Sequence, residues 1–438
     1  MQNLVKKLSC ISILATLIAA PVMAQDNVKI SQSSQSCLRF DDVLLMASQR
    51  DPGVLISQAQ QSEADADIKD AKSLFKPQIS AFGRSGFGDT GVVDSSISNQ
   101  IGVRASQRVF DFGDSKYARQ AAEAGFEARQ EETRQAQLNA AQRAGFSFLE
   151  LVESQEQIDL TNSRRDYFEA QLAAVDSLLS RGAATRTERA SVASQLADAD
   201  AFVLELNFRK EQALTQISID TGTDAQLCHT RSIQSGLTQR LANFQNPETA
   251  ANLALKHNPN IKALEKQAES LEALRKREKR SRLPIINLVA TGSYSSIGGF
   301  DQFSFRDRIG VDVSVPLYSG NAIGARSQRA SARKEIAQGR LLDAERQLRK
   351  DVSIGYRRIL SLKSQLQSRQ EVEEQTRLQF EAAEIEQKAG AKTLRDLIDI
   401  RLEYEQAGFQ RIRTKYDLMR QQLQLLTLTD RSLSQAQL

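Results

Sequence analysis

Asp396 and Asp399 are spaced to lie one turn apart on a single helix face, where two carboxylates can draw cations. Asp396 has a second, purely structural use. Three residues after Thr393 it completes a capping box, and a helix dipole favours an acid in the first turn. Lys392 stands just before this pair, while Thr185, Thr187 and Glu188 form a similar group about half a chain earlier. The two histidines, His229 and His257, have no cysteine or carboxylate at ligand spacing. There is also no Gly-rich phosphate loop, nucleophile elbow or HExxH pattern. The chemistry on offer is electrostatic, and neither an enzyme, a metal site nor a cofactor is expected.

These charges sit on tight helix-to-helix reversals. In Lys388-Ala389-Gly390-Ala391-Lys392-Thr393, Gly390 supplies a helix-stopping residue and Thr393 the N-cap of the next helix. Arg181-Gly182-Ala183-Ala184-Thr185 repeats the same grammar at a constant offset of 208 residues (182 to 390, 185 to 393, 188 to 396). Two matching tips half a chain apart imply a tandem duplication.

Residues 1–24 read as a secretory signal: Lys6 and Lys7, an apolar core from Ile11 to Ala20, and a small-residue cleavage site ending at Ala24. Cys10 precedes that core, where a lipid-attachment cysteine would follow it. The formal net charge of +4 falls to +2 once the two lysines leave, and bases alternate with acids, so no nucleic-acid partner is expected. Tryptophan is absent, aromatics are 6% and mean hydropathy is −0.42, a composition suited to long amphipathic helices that each bury a stripe. No later run reaches the ~20 apolar residues of a membrane helix, so any crossing must use a closed β-barrel. Cys37 and Cys228 precede the two halves at similar points. They form either a disulfide, which an oxidising compartment permits, or two buried thiols.

Both halves follow one plan. A helical pattern interrupted by Asp51-Pro52, or by Asn258-Pro259, predicts a bent helix. Each then meets a proline, Pro77 or Pro284, after which the period changes to two. Ile79, Ala81, Ile101, Val103, Ile309, Val311 and Val313 alternate with Arg84, Arg104, Arg108, Arg308 and Asp312, predicting two β-hairpins with strands of about ten residues. One aliphatic and one charged face suit a transmembrane barrel with lipid outside and water inside, the charged residues facing the lumen. Four strands cannot close a pore, whereas three copies supply 12. From Gly113 and Gly320 a proline-free helix runs to each tip, on the order of 100 Å at 1.5 Å per residue. Ala141, Ala144, Phe148 and Leu151 mark its packed stripe. A shorter helix returns from each tip. The expected organisation is a first repeat at 25–221, a linker at 222–247, a second repeat at 248–428 and a tail at 429–438.

The ordered pattern of Ala254-Leu255-Lys256-His257-Asn258-Pro259, helix, proline, hairpin, glycine, long helix and Gly-x-x-Thr-x-x-Asp tip resembles the TolC family of outer-membrane efflux channels. The resemblance implies an α+β membrane protein, a trimer with a 12-stranded barrel (four strands per chain) continued by a periplasmic α-helical barrel of coiled-coil hairpins. It further implies a passive exit duct, for efflux or type I secretion, served by a periplasmic adaptor and an inner-membrane ABC or RND-type pump. The alternative is a periplasmic coiled-coil adaptor or scaffold, which shares the long hairpins but not the two tips and alternating strands. By position, Asp396 and Asp399 match the family's gate acids, Lys392 a basic linking residue, and Glu188 with Thr187 its acidic partner. Threefold repetition would place six carboxylates around a narrow mouth. Arg181, Gly182, Thr185, Gly390 and Thr393 fall at the adaptor-contact tips. Gln387 departs from the tyrosine of the best-known member, and the short tail implies a reduced equatorial domain.

Overall fold

The computed structural model describes residues 39–88, 96–223, 233–242, 244, 246–297 and 304–430, all within one compact unit. The signal segment, Cys10, Cys37, Cys228, His229, the Gly298-Gly299 loop and the tail beyond 430 lie outside the described residues. The cleavage-site and disulfide expectations fall there with them.

Among the described residues the chain runs α1 (Phe40–Arg50), α2 (Pro52–Ser73), β1 (Gln78–Gly88), β2 (Ser96–Phe110), α3 (Asp114–Ser180), α4 (Arg186–Thr221), α5 (Ile233–Arg240), α6 (Pro247–His257), α7 (Pro259–Arg280), β3 (Ile285–Ile297), β4 (Ser304–Ser314), α8 (Ala322–Lys388) and α9 (Leu394–Leu428). The duplication is visible element by element. Helices α3 and α8 each have 67 residues, and α2 and α7 each have 22. No described helix is long and apolar enough to cross a membrane.

The bends expected at Asp51-Pro52 and Asn258-Pro259 are complete breaks. A residue before proline is pushed out of the helical region, and Asp51 (ψ 132°) and Asn258 (ψ 122°) leave it entirely. Each caps the helix that follows: Asp51 Oδ1 accepts from Gly53 N at 2.7 Å, and Asn258 Oδ1 accepts from Ile261 N at 3.2 Å. Their free ends tie the break to distant helices. Arg143 of α3 pairs with Asp51 at 2.7 Å, and Asn258 Nδ2 donates to the Leu428 carbonyl that closes α9 at 3.0 Å. The expected linker is partly helical, because Ile233 and Leu237 of α5 bury against the core.

The two hairpins form one antiparallel sheet in the order β1-β2-β3-β4. They join where Ser98–Arg108 pairs with Asn287–Ile297, leaving β1 and β4 as edges with one partner each. The main core lies among the helices. Val43, Leu44 and Ala47 of α1 and Ala250, Ala251 and Ala254 of α6 meet Ala141, Ala144, Phe148 and Leu151 of α3, Val352 and Ile359 of α8, and Leu423 and Leu426 of α9. Small residues permit the close approach: a Cβ on Gly145 would lie 2.5 Å from Leu423 Cδ2 and 2.8 Å from Leu44 Cδ2.

Candidate functional site

Both tips have the same bond pattern. Ala183 N donates to Leu178 O (2.9 Å) and Gly182 N to Leu179 O (3.0 Å). At the second tip Ala391 N donates to Glu386 O (2.8 Å) and Gly390 N to Gln387 O (3.0 Å). These are Schellman closures, which need a left-handed residue at the turn. Gly182 (φ +73°) and Gly390 (φ +77°) meet that need without a Cβ penalty. The following helices start with matched capping boxes. Thr185 Oγ1 accepts from Glu188 N (3.1 Å) while Glu188 accepts from Thr185 N (2.7 Å); Thr393 Oγ1 accepts from Asp396 N (3.2 Å) while Asp396 accepts from Thr393 N (3.1 Å).

Capping also sets charge. The Thr393 hydroxyl first, and its N–H second, hold the Asp396 carboxyl below the usual range; the Thr185 N–H and hydroxyl do the same for Glu188. Asp396 is therefore an ionised, exposed cap, and Asp399 lies exposed one turn further with no side-chain partner among the described residues. The chain does not bring Lys392 to Glu188. Instead Lys392 pairs with Glu386 at 3.2 Å, because the closure folds the turn over the last turn of α8, and the Glu188 carboxylate is taken by its own cap. Arg181 folds back on Ser177, donating to its hydroxyl at 2.5 Å, while Thr187 is exposed and Gln387 half-buried.

The structure adds a polar cluster that sequence reasoning passed over. On α9, Arg401 Nε donates to Glu405 Oε1 at 2.9 Å, and its guanidinium lies 5.0, 4.9 and 5.4 Å from the rings of Tyr167, Phe380 and Tyr404. Arg164 of α3 approaches Glu405 at 3.4 Å and bonds Asp198 and Gln195 of α4, each at 2.8 Å. All four hairpin helices meet in this cluster. Nearer the core the signs are reversed: Glu156 of α3 accepts from Lys415 (2.8 Å), Tyr416 (3.0 Å) and Arg411 (3.3 Å) of α9, and Glu153 pairs with Arg420. Acids on α3 opposite bases on α9, followed by the opposite arrangement, leave one favourable register. A readable trace existed in the aromatics set one turn from arginines, Arg164 with Tyr167 and Arg401 with Tyr404.

The sheet separates its residues as the alternation predicts. Register aligns Ile79, Ala105, Ala290 and Ile309 in one row and Gly83, Ile101, Tyr294 and Phe305 in another on the same face. That face is exposed and apolar; Ile79 keeps 73% and Ile309 79% of its accessible surface. Arg84, Arg104, Arg108, Arg308 and Asp312 share the opposite face. Arg108 stands apart, bonded to Asp111 and Asp114, each at 3.3 Å, where β2 passes into α3. Asp111 in turn accepts from the Ser115 hydroxyl, from Ser115 N (2.9 Å) and from Gly113 N (3.1 Å), so its carboxyl stays below the usual range although burial opposes this.

The sequence profile of outer membrane efflux proteins matches residues 43–223 and 250–430, once over each half. The chain belongs to that family. It is similar to the outer membrane efflux protein BepC of Brucella suis, 22% identical over 95% of this chain and 90% of BepC. It is also similar to the proteases secretion protein PrtF of Dickeya chrysanthemi, 24% identical over 46% of this chain and 44% of PrtF. Among solved structures, the CmeC outer membrane channel of Campylobacter jejuni has the same fold: TM-score 0.73, 17% identity, 93% of this chain and 91% of CmeC. In this efflux-family chain the long helices α3 and α8 each run from the strands at their start to a glycine tip at their end.

Proposed function

We propose that three copies of this chain form a passive exit duct, with 12 strands closed as a barrel in the outer membrane and the helices reaching into the periplasm from that barrel. The observation that carries the reading is the sheet: an exposed apolar face, an arginine-bearing face and two open edges on four strands. An isolated four-stranded sheet of this kind is an aggregation hazard, and closure with neighbouring copies removes both edges. In the duct the apolar face meets lipid and the arginine face lines water.

The tips act as the periplasmic gate. Asp396 and Asp399, repeated threefold, attract cations at a narrow mouth, and the two Gly-x-x-Thr tips receive a periplasmic adaptor that binds the open state better. Energy comes from an inner-membrane pump of ABC or RND type; the duct itself catalyses nothing. The signal is removed after about Ala24 on the way to the outer membrane. BepC is named for efflux and PrtF for protease secretion, which supports export without choosing the cargo.

Outer-membrane fractionation followed by unheated gel electrophoresis tests the assembly, with a trimer expected and a monomer in the soluble periplasmic fraction sinking the idea. Photo-crosslinkers beside Gly182 and Gly390 test the tips. An adaptor caught with a proton-driven pump means small-molecule efflux, an ATP-driven transporter means type I secretion, and no capture at either tip removes their docking role.

A further inference from the structure

The arginines on the polar face of the sheet are not scattered. Apart from Arg108, which is ion-paired at the base of β2, three successive cross-strand rows hold them: Arg84 with Gln100, Ser295 and Ser304; Phe82 with Gly102, Ser293 and Arg306; Ser80 with Arg104, Thr291 and Arg308. Same-face rows are two residues apart, so three rows cover about 13 Å along the strands. Within the last row, Arg104 and Arg308 flank Thr291, placing their backbones about 10 Å apart. Arg84, Arg104, Arg306 and Arg308 are all exposed, and none has an acidic partner among the described residues. Asp312 is an acid on the same face of β4, two rows further toward α8. Asp307 belongs to the apolar-face row with Ala81, Val103 and Gly292.

The belt is also partly shaped. Gly102 leaves room for the Phe82 ring to lie against the sheet, since a Cβ at Gly102 would come within 2.9 Å of Phe82 Cζ. Arg84 then stacks over that ring at 5.4 Å, which holds its guanidinium on the polar face rather than letting it fold away. Four guanidiniums per chain, held as like charges without counter-charge, raise the local concentration of anions, and the planar fork matches a carboxylate.

We propose that this belt is an anion-binding zone of the exit pore and that the cargo leaving through it is rich in carboxylates. The inference rests on the reading of the chain as an exit duct. It makes the two ends opposite in sign, with carboxylates at the tips and guanidiniums in the barrel. A solute bearing carboxylates is drawn onward once it has passed the gate.

The test uses the purified full-length protein in planar bilayers, with poly-L-glutamate, citrate or poly-L-lysine added on the barrel side. Poly-L-glutamate is expected to block the wild-type current, and poly-L-lysine is not. Replacing Arg84, Arg104, Arg306 and Arg308 together by Gln should raise the half-blocking concentration of poly-L-glutamate by about tenfold or more. The Arg104→Gln, Arg308→Gln double variant, which leaves the other two rows intact, should raise it by about threefold. Block by poly-L-glutamate alone assigns the belt to extended acidic chains; block by citrate as well assigns it to any polycarboxylate. Wild-type current that ignores poly-L-glutamate, or equal block of wild type and variants, overturns the belt. Absence of any wild-type conductance overturns the duct reading itself, a separable result.

Discussion

Arg164 of α3 and Glu405 of α9 face each other at 3.4 Å with both side chains almost wholly buried, 8% and 2% exposed as residues. The pair is incompletely bonded. Glu405 Oε1 receives Arg401, but Glu405 Oε2 and Arg164 Nε make no hydrogen bond. Its cost is desolvation, and its gain is a fixed register between the two hairpins that end in the tips.

Removing one member should therefore be costly. Glu405→Ala, which leaves two buried guanidiniums without their shared acid, is expected to lower stability by about 3–5 kcal/mol. Glu405→Gln should cost far less, because its amide oxygen can still accept from Arg401. Thermal melts followed by circular dichroism distinguish the two; equal losses would mean that the carboxylate charge, which both variants lack, carries the whole effect and that the retained amide acceptor adds nothing.

The acid response of this interface should divide between two glutamates. Burial raises the Glu405 carboxyl above its ordinary 4.5 despite Arg401 and Arg164. Its contribution is thus most favourable below that value and is lost as pH climbs through the folded pKa. Glu156 is the reverse. Burial opposes it, but Lys415, Tyr416 and Arg411 outweigh burial and lower its carboxyl, so its stabilisation holds above 4.5 and is lost as pH falls through the folded pKa. Melts across pH 3–7 check this: the deficit of Glu156→Gln should shrink toward acid, and a deficit constant with pH would rule out ionic bonding there.

Gly145 should tolerate no side chain. A methyl group would collide with Leu423 and Leu44 where α1, α3 and α9 meet, so Gly145→Ala is expected to cost about 1–3 kcal/mol. Gly339, which has open space around its would-be Cβ, is the control. Gly339→Ala should be neutral or slightly stabilising by helix propensity, and a Gly145→Ala melt matching it would show that the core repacks freely.

The two tips should respond alike to loss of a cap and differently to loss of charge. Thr185→Ala and Thr393→Ala each remove one N-cap, worth about 1 kcal/mol of local helix stability, seen as faster amide exchange in the first turn of α4 or α9. Asp396→Asn with Asp399→Asn should weaken cation selectivity and block by multivalent cations in bilayer recordings. Unchanged reversal potentials would remove both residues from the gate.

Much of the architecture was legible because it depends on local rules repeated twice. Proline positions, the change of period from 3.6 to 2, and Gly-x-x-Thr-x-x-acid tips each act within a few residues, and their constant offset exposed the duplication. Where local rules were read too weakly, the chain went further in the same direction. Asp51 and Asn258 carry side chains that can cap the next helix, so the bends became breaks.

The sequence by itself determined the long helices and the strands, though not α5 within the linker, and it determined where the helices reverse and which side of each strand is greasy. It also determined that Asp396 and Glu188 would cap their own helices, since a capping box closes over three residues. Tertiary structure decided the pairings between segments far apart in the chain. It joined β2 to β3, set Arg164 against Glu405, caged Arg401 among three rings and gave Lys392 to Glu386. The physical reason is that a long-range ion pair or strand register is specified jointly by two distant stretches. Many charges on α3 and α9 are chemically equivalent, and only the fold determines which of them meet.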